Sequence, residues 1–181
     1  MITRITGQRI AAIALLHLDG SERAVGMEDL AMKMAELAPG RFNWKKYPEQ
    51  INIETVRSIV AKLLKTDPPF AAGGVRDGWM LTPAGINDAF QAPGVASAPV
   101  LASLVRSAAL LRQSDAWEKF ARLAPEEITV YDARRFLKVD EYTSPRRRKE
   151  RGRAIRNIAA HDDDLDALVT YLRDHFPEEW T

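Results

Sequence analysis

The stretch Gly78–Ile86, GWMLTPAGI, places a strand and a helix back to back. Trp79, Met80 and Leu81 form a short strand-like run. Thr82 is a residue type that caps helices, and Pro83 suits the first helical position, where a missing N–H costs nothing. Upstream, Phe70 to Gly73 is a second strand-like run, and Gly73 to Gly78, GGVRDG, reads as a glycine-rich hairpin tip. The segment predicts a small β-hairpin feeding directly into a helix.

Toward the N-terminus the pattern is helical. Thr6 precedes a helix running to about Leu18, and Asp19-Gly20 ends it. Arg23 to Gly26 is long enough only for a connector or a stub of strand. Met27, Leu30, Ala31, Met34 and Leu37 recur at helical spacing, and Pro39-Gly40 stops that helix. Asn52 is an N-cap for a third helix. In it Ile53, Val56, Val60, Leu63 and Leu64 form one apolar stripe, while Thr55, Arg57, Ser58, Lys62 and Lys65 face elsewhere. Asp67-Pro68-Pro69 breaks it.

The order is helix, stub of strand, helix, helix, hairpin, helix. It resembles the winged helix-turn-helix, and LTPAG resembles the passage from the last wing strand into the following helix of that family. The resemblance covers about half the chain, Met1 to roughly Phe90. It implies a DNA-binding domain at 1–90 whose third helix enters the major groove. One departure stands out. Between the second and third helices lies PGRFNWKKYPEQIN, far longer than a 3–4-residue turn, so it is read as an insertion with room for a helical turn of its own.

Gln91 to Pro99, QAPGVASAP, is uncharged and rich in proline and small residues, and is read as a linker over 91–99. Beyond it the chain reads as an all-helical unit, 100–181, with no family resemblance. Leu101, Leu104, Val105, Ala108 and Leu111 share one face. Trp117, Phe120 and Ala121 continue that helix or restart it after Ser114. A short helix carries Val130, Ala133, Phe136 and Leu137, and Ser144-Pro145 opens an arginine-rich helix. That helix has only a narrow apolar stripe, Ile155 and Ile158, and is expected to lie on the surface with its first two turns largely solvated. The run HDDD, His161 to Asp164, caps a last helix bearing Leu165, Leu168, Val169, Leu172 and Phe176. The expected fold class is mainly α, with a small β-hairpin wing.

The chain has 181 residues, 46% hydrophobic and 28% charged, the mix of a soluble globular protein of one domain or two small ones. No signal peptide is visible at the start, and the longest apolar run, Ile10 to Leu16, is far short of the ~18 residues a membrane span needs. The absence of cysteine removes thiol chemistry and fits a cytoplasmic location. Net charge is only +1, but it is unevenly distributed. Residues 145–156 hold seven basic side chains against Glu150, a balance of +6, whereas 157–181 balance at −6 and 41–65 at +4.

Enzyme signatures are absent. AAGGVRDG lacks the Gly-Lys-Ser/Thr ending of a phosphate loop, and neither G-x-S-x-G nor H-E-x-x-H occurs. HDDD lacks nearby further ligands apart from His175, and acidic residues at a helix start account for it. No catalytic residue, metal or cofactor is expected. The residues expected to contact double-stranded DNA are Asn52, Thr55, Arg57, Ser58 and Lys62 on the third helix, Arg76 at the wing tip, and Lys45 and Lys46 beside Trp44 and Tyr47 in the insertion. Arg146, Arg147, Arg148 and Lys149 form a second phosphate-gripping element, a salt-bridged partner of the acidic last helix, or a nuclear localisation signal. The helical unit is expected to supply a homodimer interface or a dock for a partner protein. The reading taken is a non-catalytic DNA-binding protein, a transcriptional regulator or the DNA-contacting subunit of a larger complex. Its alternative is a protein–protein adaptor whose winged helix touches no DNA.

Overall fold

The computed structural model describes residues 5–91 and 98–181. It is mainly helical with one small antiparallel hairpin, and the chain divides into two compact units, Met1–Val100 and Leu101–Thr181. Residues 92–97, most of the expected linker, lie outside the described residues, and the next helix begins at Ala98.

Unit 1 is built around α1 (Gly7–His17). All seven residues from Ile10 to Leu16 are buried, so this helix is apolar on every side and must be surrounded. Helices α2 (Met27–Leu37), α3 (Ile53–Leu63) and α4 (Pro83–Phe90) pack against it. Each start is fixed locally. Thr6 caps α1, Asn52 caps α3 and Thr82 caps α4 with Pro83 following. Leu30, Met34, Leu63 and Ile86 are fully buried from the three surrounding helices. An Arg9–Asp88 ion pair at 2.6 Å ties α1 to α4 at the rim.

The hairpin pairs β1 (Ala71–Gly74) with β2 (Gly78–Leu81), Ala71 opposite Leu81 and Gly74 opposite Gly78. Gly73 adopts φ +127°, and a Cβ there would lie 2.1 Å from the Gly78 carbonyl oxygen, so only glycine fits. The other edge of β2 is not bare. Val25 and Trp79 exchange both backbone hydrogen bonds at 2.9 Å, and the Leu81 N–H donates to the Gly20 carbonyl at 2.8 Å. The stub at 23–26 is therefore a one-residue strand on the far side of β2, and Trp79 is buried beneath it. In LTPAG, Gly85 is required by proximity. A Cβ there would sit 1.9 Å from the Phe70 carbonyl oxygen, where α4 meets the entry to β1.

The insertion contains no helical turn. It is a loop closed on itself by an isolated bridge between Asn43 and Ile51, with the Trp44 N–H on the Gln50 carbonyl and the Asn52 N–H on the Phe42 carbonyl. Phe42 anchors its base in the core. Two prolines and the close return of the chain favour a hairpin-like closure over a helix.

Unit 2 holds α5 (Ala98–Leu111) from Leu101 on, α6 (Asp115–Ala121), α7 (Val130–Leu137), α8 (Pro145–Ala159) and α9 (Asp163–His175). The chain does restart after Ser114, which caps α6. Thr129 and Asp132 form a capping box on α7, Ser144 caps α8 and Asp162 caps α9. A terminal 3-10 turn, Pro177–Trp180, packs on α8 with Trp180 against Gly152.

The first two turns of α8 leave Pro145, Arg146, Arg147 and Lys149 exposed, as expected, but the second half is more buried than the stripe of Ile155 and Ile158 implies: Gly152, Ala154, Ile155, Asn157, Ile158 and Ala159 are all buried. Gly and Ala bury backbone and small side chains without adding to a count of large apolar residues, so the sequence stripe looks narrower than the true contact. Leu104 and Leu111 of the α5 stripe are buried within the chain itself; the side chain of Leu101 lies outside the described residues.

Candidate nucleic-acid interface

The first candidate surface is the exposed side of α3 with the loop that leads into it. Val56, Val60 and Leu63 turn inward. At about 100° per residue, Thr55, Ser58 and Lys62 recur at i, i+3 and i+7 and share one outer flank. Ser58 and Lys62 are exposed, and Thr55 is half-buried. Arg57 lies on a different outer flank, and its guanidinium is held by Glu54 at 2.5 Å, one turn back. Asn52 is engaged too, because its Oδ1 accepts the Thr55 N–H at 3.1 Å. A bidentate contact to adenine needs that oxygen free, so the cap and base reading compete.

The closed loop places Lys45 and Lys46 in solvent immediately before the start of α3. Trp44 and Tyr47 stand 46% and 48% exposed beside them, and the Lys46 ammonium lies 5.6 Å from the Tyr47 ring centre. Arg76 is exposed at the hairpin tip next to Val75. Loop, helix flank and hairpin tip together offer cations, hydroxyls and flat aromatic faces, the donor set for phosphate oxygens and base edges.

The second candidate surface is the N-terminal half of α8, and its four basic residues part company. Arg146, Arg147 and Lys149 are exposed. Arg148 is turned inward, its side chain only 11% exposed. It pairs with the buried Glu179 and donates to the carbonyls of Thr143 at 3.0 Å and Asp140 at 2.7 Å. Glu179 also receives Arg134 at 3.0 Å. Arg151, three residues on, donates to the Leu137 carbonyl at 3.2 Å. Arg148 is therefore a structural bridge between α8, the preceding loop and the terminal turn, with its donors already occupied. Sequence gave no sign of this, because Glu179 lies 31 residues away.

The proposed pairing of the arginine run with the acidic cap also finds a different arrangement. Asp162 is held by Arg112, just past the end of α5, with contacts of 2.7 and 2.8 Å, and Asp164 lies 3.7 Å from the same guanidinium. Arg112 in turn lies over the Trp117 ring at 4.3 Å. Burial pushes the Asp162 carboxyl up, but the hydrogen bonds from Arg112 and the Leu165 N–H outweigh it and hold the group below the usual range. Asp132 behaves alike: burial raises it, but the hydrogen bonds from Lys119 and Thr129 outweigh that and lower it.

His161 and His175 flank opposite ends of α9, and His175 stacks on Tyr171 at 3.9 Å. Among the described residues, no group of three or more His, Asp or Glu side chains is placed to hold a metal ion, and no helix is long and apolar enough to cross a membrane. The sequence reading counted Arg153 and Arg156 in the basic segment 145–156 without naming them, or Arg173, as contact residues; Lys149, Arg153 and Arg156 recur at i, i+4 and i+7. Neither a family model, a curated protein nor a solved structure matches the chain.

Proposed function

We propose that unit 1 is a winged helix and that the protein binds double-stranded DNA without catalysis, as a transcriptional regulator or as the DNA-contacting subunit of a larger complex. The observation that carries this reading is the Val25–Trp79 bridge. It sets a third segment, from the α1–α2 connection, against the two-strand hairpin, which supports the order of helix, strand stub, helix, helix, hairpin and helix on which this reading rests. In this reading α3 enters the major groove by its Thr55–Ser58–Lys62 flank, with Arg57 freed from Glu54 to reach a guanine edge. Arg76 reaches a phosphate or the minor groove, and Lys45 and Lys46 hold the backbone beside the helix start. Unit 2 supplies the contact to a second copy or a partner protein. An electrophoretic shift of random duplex across a salt series tests it, and the expected result is binding that weakens steeply with salt.

A second reading has its own support. Trp44 and Tyr47 are exposed on the loop, and aromatics of this kind are enriched at protein interfaces. An adaptor would show no salt-dependent shift with any duplex while Trp44→Ala weakened a protein complex.

A further inference from the structure

We propose that α8 and α9 carry a second, separate phosphate-backbone site, formed by Lys149, Arg153 and Arg156 with Arg173 beside them. The inference rests on the DNA reading of the chain but not on α3. With Arg148 and Arg151 drawn inward, Lys149, Arg153 and Arg156 fall within a narrow sector on the opposite side of α8. Lys149 and Arg156 are exposed, and Arg153 is half-buried. The row runs about 10 Å along the helix, the axial rise of about three phosphates on one DNA strand.

Arg173 joins the row from the neighbouring helix. The Arg156 guanidinium is held below its ordinary value by desolvation first, and then by the positive fields of Arg153 and Arg173. With α8 packed against α9, Arg156 thus feels the positive charge of Arg153 on its own helix and of Arg173 on the next. Arg173 has Asp174 at 3.6 Å on its own helix, and Asp166 shares its flank of α9. Arg156 leans its Nε back on the Gly152 carbonyl at 3.4 Å. Mutual repulsion of like charges costs stability, and a chain of phosphate oxygens relieves it while matching the forked donors of arginine. A flexible anionic peptide would need no such straight row, so the regular spacing favours a nucleic-acid backbone.

The test is fluorescence anisotropy of a 20-base-pair duplex with the full chain across a salt series. Lys149→Gln/Arg153→Gln/Arg156→Gln/Arg173→Gln should flatten the log–log salt slope by about 3–4, since each lost phosphate contact removes about 0.9. Lys149→Gln alone, on an exposed side chain that cannot unfold the helix, should flatten it by about 0.9. Both variants should keep the wild-type circular dichroism. An unchanged slope in both, with the slope reduced by Lys62→Ala, overturns this site and leaves the α3 reading standing. A reduced slope in both, with no effect of Lys62→Ala and Arg57→Ala, supports this site and removes α3. Tighter binding to phosphatidylserine vesicles than to duplex, lost in the fourfold variant, also overturns it.

Discussion

Helices α3 and α8 carry similar basic residues and dispose of them in opposite ways. In α3 the inward face is aliphatic, and no polar side chain after the cap is fully buried; the one arginine is tied only to a neighbour a turn away. Such a pair is exposed and holds its partner weakly. In α8 the inward face itself contains arginine. Arg148 and Arg151 run their stems along the buried side and end on carbonyls and on Glu179. A dense arginine run is not the same as a basic surface, because a single buried carboxylate selects which arginine turns inward.

The sharpest way to break this contrast is Glu179→Ala. Glu179 is 4% exposed and receives both Arg134 and Arg148, so its removal strands a buried guanidinium. The expected loss is about 3–5 kcal/mol of unfolding free energy. A chemical denaturation curve within ~1 kcal/mol of wild type would place Arg148 on the surface after all.

Next in size are the α3 and hairpin-tip substitutions. Arg57→Ala should cost about 1–3 kcal/mol of DNA affinity and relax discrimination at one base pair, whereas Arg76→Ala should weaken all sequences alike. Equal, small effects of both on a panel of duplexes would show that neither element reads a groove.

The acid response of unit 2 is smaller and has a definite sign. The Asp132 and Asp162 carboxyls lie below their unfolded values, so their stabilisation is complete above the usual carboxylate range. It is lost as pH falls through their folded values. Thermal melts from pH 6 down to pH 2 should show progressive destabilisation, and Asp132→Asn should weaken that dependence while removing about 1 kcal/mol with the capping box. A variant with the wild-type acid profile would mean that Asp132 titrates as an exposed group.

The smallest expected effect is Glu54→Ala, which should change stability by less than about 0.5 kcal/mol. Its use lies in binding. By freeing Arg57 it should raise duplex affinity slightly if Arg57 faces DNA, and lower affinity would show that Glu54 positions the arginine instead.

What the sequence determined by itself is what chemistry over three or four residues can set. Asn52, Thr82, Ser114, Ser144 and Asp162 cap their helices because a side-chain oxygen needs only the N–H three positions on. The same reach explains the glycine tip of the hairpin and the buried faces of α1 to α3. The tertiary structure alone decided pairings between distant segments: Val25 on Trp79, Arg112 on Asp162, Arg148 on Glu179. Each depends on which elements pack side by side, and no residue near either partner in the sequence carries that information. The α8 interior was hidden for a related reason. Glycine, alanine and arginine stems bury surface that only a neighbouring helix or a tryptophan from the chain's end can reveal.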